Sequence, residues 1–132
     1  MTVGSRRESR ERALSLLYEA EVKEITPAAL VEDQPVRPEA FVLDLVIGVG
    51  SHHDRIDELI SRFSIDWTLE RMPAIDRNLL RLAVYELLER PDVPLGAVIS
   101  EAVELAKRYS TDESGRFVNG VLSSVAAEVR PG

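Results

Sequence analysis

Apolar residues recur at steps of three and four along almost the whole of this 132-residue chain, and alternation with period two is hard to find. Such spacing is typical of amphipathic helices, because residues three and four apart lie on one face of a helix. The pattern therefore predicts an all-α fold of about six or seven helices. The length suits a single domain, 1–132, and a second half begins near Trp67, so the halves span roughly residues 1–66 and 67–132.

Helix-stop signals divide the first half into segments. A first helix is predicted over residues 8–24, since its apolar stripe stops before Thr26 and Pro27, and proline can only begin a new helix. The proline-containing segment 27–38 is predicted to be a loop with a short helical piece near residues 28–31. The next apolar stripe, from Phe41 to Phe63, fits one bent helix or two helices equally well.

The second half contains the most hydrophobic helical segment, IDRNLLRLAVYELL at residues 75–88, which is followed by the stop signal Arg90-Pro91. Another amphipathic helix then closes with Lys107 and Arg108, cations that suit the negative end of a helix dipole. A polar loop, STDESG, is predicted at residues 110–115, with Ser114 as the N-cap of the last helix.

Composition and charge narrow the possible functions. The chain has no cysteine, which excludes disulfides, thiolate metal sites and cysteine nucleophiles. No signal peptide or transmembrane run is evident, so we expect a soluble, cytoplasmic protein. Because the net charge is −7, the body of the protein should not attract nucleic acid, and any such binding must be local.

Positive charge is concentrated near the start of the chain, where Arg6, Arg7, Arg10 and Arg12 lie within seven residues. On a helix, the first three continue the line of the core stripe and form a one-sided basic group. Cations at a helix N-terminus oppose the helix dipole, so stability alone does not favour them there. Two interpretations stay open: a solvated, frayed terminus, or a site where a phosphate backbone supplies the counter-charge.

Arg116 and Phe117 are expected where the polar loop meets the last helix. Phe117 is compatible with a place in the core, which is the more common environment for an aromatic ring at a helix start. A ring beside a cation at a helix N-terminus is also a pattern with which proteins bind single-stranded RNA.

Three segments together resemble one family, the bacterial transcription antitermination factor NusB. They are RRESRERALSLLYE at residues 6–19, IDRNLLRLAVYELLERPDVPLGAVISEAVELAKRYS at residues 75–110, and FVNGVL at residues 117–122. The resemblance runs from about residue 5 to residue 130. It implies two small packed helical bundles, no catalysis, and recognition of the boxA element of ribosomal RNA leader transcripts. The implied partners are the ribosomal protein NusE and an antitermination complex on RNA polymerase.

The resemblance also implies roles for individual residues. The surface offered to NusE is expected to include Asp76. RNA contacts are expected from the family's arginine-rich motif, from a residue on the same helix, and from the aromatic residue near the C-terminus with the acidic position before it. These residues are Arg6, Arg7, Arg10, Tyr18, Glu113 and Phe117, and the sequence pattern itself adds Arg116, the cation beside Phe117.

Two features depart from the family's pattern. Glu8 stands where many members have a third consecutive arginine, and the last helix ends at RPG, residues 130–132, without a lysine-rich tail. Both lower the local positive charge, so RNA affinity without the protein partner is expected to be weak. In some branches of the family this surface supports self-association, which leaves a homodimer open.

Other sites have weaker support. His53 and Asp57 are one helical turn apart, next to His52 and Asp54, but no third metal ligand is evident, so a solvated helix surface is favoured. Catalytic carboxylates are not favoured either, because Glu101 and Glu104 are predicted on the wet face of their helix.

Two glycines, Gly48 and Gly120, interrupt helical patterns and cost about 1 kcal/mol each relative to alanine. Their positions predict close contacts between helices.

The main alternative function is a helical, self-associating interaction module without RNA binding. A related alternative is a stand-alone version of the helical domain found in some RNA cytosine methyltransferases. Those enzymes also have a glycine-rich cofactor segment, which this chain lacks.

Overall fold

The computed structural model describes residues 3–65 and 67–131, with side chains described from residue 6 onward. Within these ranges the predicted all-α fold is confirmed, and the elements follow in a simple order. They are α1 (Val3–Lys23), α2 (Pro27–Glu32), α3 (Ala40–Ser51), α4 (His53–Phe63), a short 3-10 helix (Leu69–Arg71), α5 (Ala74–Glu89), α6 (Leu95–Tyr109) and α7 (Asp112–Val129). No helix in this part of the chain is both long and apolar enough to cross a membrane.

The turn between α1 and α2 lies where the sequence predicts it. Glu24 adopts a left-handed conformation with φ of 57°, a common way to end a helix. The Thr26 side chain then accepts a hydrogen bond from the Ala29 backbone N–H at 3.1 Å, and Pro27 begins α2, where its missing N–H costs nothing. The short helical piece predicted in this segment is confirmed.

The long apolar stripe of the first half forms two helices, α3 and α4. They separate at His52, whose backbone angles (φ −109°, ψ 21°) are not helical. The His52 backbone N–H donates to the Gly48 carbonyl at 3.0 Å and closes α3. The sequence left this choice open, and the structure decides it.

Helix α5 lies at the centre of the molecule. Residues 82–87 are all buried, and the helix packs against α1, α3, α4, α6 and α7. Both halves of the chain therefore contribute to one continuous hydrophobic core. The division into halves near residues 66 and 67 stays a prediction.

Gly48 allows α3 to approach α5 closely. A Cβ atom at this position would lie 2.2 Å from Cζ of Tyr85, which is much shorter than any real contact. The Tyr85 hydroxyl donates to Asp44 Oδ1 at 2.7 Å, and burial together with this bond raises the pKa of Tyr85. The predicted close contact is confirmed at Gly48. It is wrong at Gly120, where a Cβ would meet no neighbouring side chain or other helix within 4 Å in the described part of the chain.

Arg130, just after α7, covers the C-terminal end of α5. Its guanidinium group donates to the carbonyl oxygens of Leu87 at 2.9 Å, Glu86 at 2.9 Å, Arg90 at 2.7 Å and Val93 at 2.6 Å. The last carbonyls of a helix have no partner within the helix, and a cation there also complements the helix dipole. One side chain thus fixes the end of α7 to the end of α5.

Candidate nucleic-acid interface

Arg6 lies near the beginning of α1 against an aromatic ring. Its guanidinium carbon is 3.9 Å from the ring centroid of Phe41, and that of Arg90 is 4.9 Å from the same centroid. A cation–π contact of this kind holds the group in place without neutralising it. Among the side chains that the structure describes, none forms an ion pair with Arg6. The pKa of Asp92 is lowered mainly by Arg90 and also by Arg6, so the charge of Arg6 is only partly balanced and can still meet an anion.

Arg7 lies on the side of α1 that faces α6. Its Nε donates to Glu101 Oε2 at 2.9 Å, and this bond raises the pKa of Arg7. The Arg7 side chain is 38% exposed, so N–H donors remain for a second anion. Glu101 is buried, and the prediction that it lies on the wet face of α6 is wrong, whereas Glu104 is exposed as predicted.

Arg10 is buried and does not belong to the exposed basic group that the sequence suggested. Only 5% of the residue is accessible, and its guanidinium forms two hydrogen bonds with Glu86 of α5, at 2.9 and 2.8 Å. Burial lowers the pKa of Arg10, but the interactions with Glu86 raise it by more than burial lowers it, so the net shift is upward. The exposed position predicted for Arg10 is corrected for this reason. A role in RNA binding stays a prediction and would be indirect, through the placement of α1.

Phe117 lies in the second turn of α7, partly buried, and not at the helix start that the sequence predicted. Its ring meets the ring of Trp67 in an edge-to-face contact, with 5.3 Å between centroids and an angle of 85°. Trp67 lies just before the 3-10 helix and is 36% exposed. Sequence reasoning missed this partner, since a lone tryptophan between helices belongs to no periodic pattern.

The start of α7 differs from the prediction by one turn. Thr111 is the N-cap, and its hydroxyl accepts the Ser114 backbone N–H at 2.9 Å. The proposed cap at Ser114 is wrong, and Glu113 lies in the first turn of the helix instead of in a loop. An acidic residue there complements the positive end of the helix dipole.

Glu113 and Arg116 project from the same end of α7 and are both exposed. In the described part of the chain, neither forms an ion pair or a side-chain hydrogen bond. An arginine without a counter-charge and a free carboxylate thus flank the aromatic pair.

Helix α6 connects the arginines of α1 with the aromatic pair. Arg7 contacts Glu101 near its middle, while Glu11 contacts Arg108 at 3.4 Å and accepts a hydrogen bond from the Tyr109 hydroxyl at its end. This bond raises the pKa of Tyr109. Tyr18 is 42% exposed and shares the helix face of Arg7 and Glu11, since residues four and eleven apart lie within about 40° of each other.

Asp76 lies in the first turn of α5 and is fully buried, and neither of its carboxylate oxygens has a hydrogen-bond partner among the described residues. A carboxylate at this helix position often bonds back to the N-cap N–H, but the N-cap here is Pro73, which has none. Contact with a partner protein stays a prediction for Asp76, and it requires local opening of this buried site.

The histidines of the α3–α4 junction pair with carboxylates. His52 Nε2 lies 3.3 Å from Glu89 Oε1, and His53 Nε2 lies 3.2 Å from Asp57 Oδ2. Across the described residues, no three histidine or acidic side chains are grouped so that they could hold a metal ion.

Comparisons with known proteins identify the family. A model of the NusB family matches residues 7–127. The transcription antitermination protein NusB of Thermobifida fusca is 48% identical over 124 residues, which cover 91% of this chain and 87% of that protein. NusB of Salinispora arenicola is 48% identical over 130 residues, covering 92% and 95%.

Solved structures agree with these matches. T. maritima NusB superposes with a TM-score of 0.83 at 37% identity, covering 96% of this chain and 93% of that chain. A chain from a crystal structure of antitermination factors NusB and NusE in complex with double-stranded RNA gives 0.82 at 28% identity, covering 96% and 99%. The chain belongs to the NusB family of transcription antitermination proteins, and it is a regulatory protein rather than an enzyme.

Proposed function

We propose that this protein binds single-stranded boxA-type RNA of ribosomal RNA leader transcripts together with NusE, in the cytoplasm, as part of an antitermination complex on RNA polymerase. The related complex of NusB and NusE with RNA supports both partners. The proposal includes Arg6, Arg7, Arg116 and Phe117 as direct RNA contacts, together with Tyr18, which shares the α1 face of Arg7.

The observation that carries the proposal is the arrangement along α6. Arg7 pairs with Glu101, and Thr111, two residues after the end of α6, is next to the Trp67–Phe117 pair. Glu101 and Tyr109 are about 12 Å apart along the helix axis, at 1.5 Å per residue. A short single strand can therefore place phosphates on the arginines and a base on the rings. The protein as a whole carries a net charge of −7 and therefore does not attract RNA non-specifically. Binding should depend on these local arginines and should be specific to this site.

The acidic remainder of the surface suits a basic ribosomal protein. Complementary charge raises the association rate and discriminates against wrong partners. A factor with one basic RNA-binding end and one acidic protein-binding body explains the separation of charge better than either partner alone.

Titration with boxA RNA and a scrambled control, each with and without NusE, tests the proposal. If Arg6, Arg7 and Arg116 neutralise three phosphates of a single strand, log K against log salt concentration should have a slope near −2. Replacing Arg6 by glutamine should make the slope shallower by about 0.7 and weaken both RNAs. Arg55→Gln, which removes an exposed charge from α4, is the matched control and should leave the slope unchanged.

The same titration separates the alternatives. A duplex form of the boxA sequence distinguishes single-strand binding from the double-stranded RNA of the related complex. A self-associating module without RNA function would bind none of these RNAs in the presence of NusE, and that result would contradict the proposal. Sedimentation of the free protein tests the homodimer.

Asp76→Asn tests the proposed contact with NusE. We expect association with NusE to weaken by at least tenfold, because a basic side chain of the partner would lose its charged acceptor. The free energy of unfolding should stay the same or rise, since the variant removes a buried charge that has no hydrogen-bond partner among the described residues. Lysine is unsuitable here, because it would replace one buried, uncompensated charge by another on a longer side chain. Asp54→Asn on the exposed surface of α4 is the control, and equal NusE affinity for both variants would place the partner elsewhere.

A further inference from the structure

A pocket of about 350 Å³ opens beside the aromatic pair, lined by Trp67, Thr111, Glu113, Ser114 and Phe117. This volume lies within the range of sites that hold small planar ligands. Trp67 is 36% exposed, and its indole N–H has no acceptor in the described part of the chain. The pocket thus combines an accessible aromatic surface with polar atoms in one concave site.

The geometry of the two rings leaves room for a third. An edge-to-face pair uses one face of one ring and only the edge of the other. Each ring therefore keeps at least one face that the other ring does not cover, and the exposed part of Trp67 lines the pocket. Unpaired bases of RNA bind by stacking on such surfaces.

The polar lining favours a base and disfavours a phosphate. The hydroxyls of Thr111 and Ser114 bond to each other at 3.0 Å within the cap of α7. Glu113 is the one charged side chain among the lining residues, and it is not paired with any described residue. A carboxylate repels a phosphate but accepts hydrogen bonds from the amino group of a base. Arg116, one residue before Phe117, is exposed outside the pocket and suits the phosphate.

We propose that Trp67 and Phe117 together hold one unpaired nucleobase of the RNA, and that Glu113 selects a base with an amino group, which is adenine, cytosine or guanine in preference to uracil. This inference rests on the proposed RNA-binding function and adds Trp67 as a base-contacting residue and Glu113 as the residue that determines base preference.

Trp67 provides its own probe, because it is the only tryptophan of the chain. In a titration of the protein with NusE and boxA RNA, the tryptophan fluorescence of the complex should be quenched in parallel with binding, with a Trp67→Phe complex as the fluorescence blank. Trp67→Leu should weaken RNA binding by about 5- to 150-fold, as expected for loss of one stacked base. Trp67→Phe keeps a ring and should retain most of the affinity.

A double-variant cycle tests whether the two rings act on one base. Phe117→Ala alone should also weaken binding by about 5- to 150-fold. The double variant Trp67→Leu/Phe117→Ala should lose less than the product of the two single effects, because both remove the same interaction. Circular dichroism and urea midpoints must show that each variant is folded.

The role of Glu113 is tested with RNAs in which each base is replaced by uracil in turn. The wild type should discriminate against uracil at one position, and Glu113→Ala should lose that discrimination while it binds the uracil-containing RNA as well as the wild type does.

The outcomes distinguish this inference from the function on which it rests. If boxA RNA binds with NusE present but Trp67→Leu has wild-type affinity, or the fluorescence does not change, the pocket holds no base and the inference is wrong while the function stands. If NusE alone quenches the Trp67 fluorescence and RNA has no further effect, the pocket is a contact with NusE. That result would also overturn the inference. If the wild type binds no RNA, the proposed function itself fails.

Discussion

Arg10→Met should lower the free energy of unfolding by about 3–5 kcal/mol, the cost of leaving a buried charge without its partner. Glu86 is 1% exposed, and both of its carboxylate oxygens accept hydrogen bonds from Arg10. Urea denaturation measures the loss directly, and the melting temperature should fall by roughly 10–20 °C for a chain of this length.

The double variant Arg10→Met/Glu86→Leu tests whether the lost stability comes from the unpaired charge of Glu86. Since it replaces the whole ion pair by apolar side chains, most of the lost stability should return. Arg62→Met, which breaks an exposed pair with Glu58 and Glu128, should change stability by at most about 1 kcal/mol. If Arg10→Met has as little effect as Arg62→Met, the buried pair is not a stabilising feature.

The same double variant examines the RNA role of Arg10. A residue that contacts phosphate contributes to the salt dependence of binding, whereas a residue that only positions α1 does not. We expect the double variant to have the wild-type slope of log K against log salt concentration. A slope shallower by about 0.7 would mean that Arg10 contacts a phosphate directly.

Gly48→Ala should lower the free energy of unfolding by about 1–3 kcal/mol, although the same change within a helix ordinarily stabilises. The added methyl group would overlap the Tyr85 ring, which lies 2.2 Å away. The ring must then move and strain its hydrogen bond to Asp44, which is 2.7 Å long.

Gly120→Ala is the matched control for this prediction. A Cβ atom there meets no neighbouring group of the described residues within 4 Å, so the variant should be more stable than the wild type by up to about 1 kcal/mol. Urea denaturation of both variants gives opposite signs if the contact with Tyr85 decides the outcome. Equal stabilisation of both would mean that α3 can shift away from α5 at little cost.

The helices themselves were predictable because each follows a local rule. The stripe of α1, the proline after Thr26 and the stop at Arg90 all depend on neighbours within a few residues. The cap of α7 shows the limit of such rules, since Thr111 and Ser114 are both suitable cap residues three positions apart. The acidic residues after Thr111 favour the earlier start, because they complement the dipole of the first turn.

The candidate site was only partly predictable, because its contacts join distant parts of the chain. Arg10 and Glu86 are 76 residues apart, so spacing gives no sign that they meet. Glu86 did offer one signal: it is a lone carboxylate inside the run LAVYELL of the most hydrophobic helix, where an acidic residue needs a partner. Trp67 offered none, since its contact with Phe117 joins residues that are 50 positions apart along the chain.

The attachment of Arg130 to the end of α5 has a consequence for how the molecule opens. The last turn of a helix usually frays independently, and its amide hydrogens exchange early. Here fraying of α7 would break four hydrogen bonds from Arg130, two to the α5 carbonyls of Glu86 and Leu87 and two to Arg90 and Val93 just beyond α5. The amides at the two helix ends should therefore exchange together as one cooperative unit.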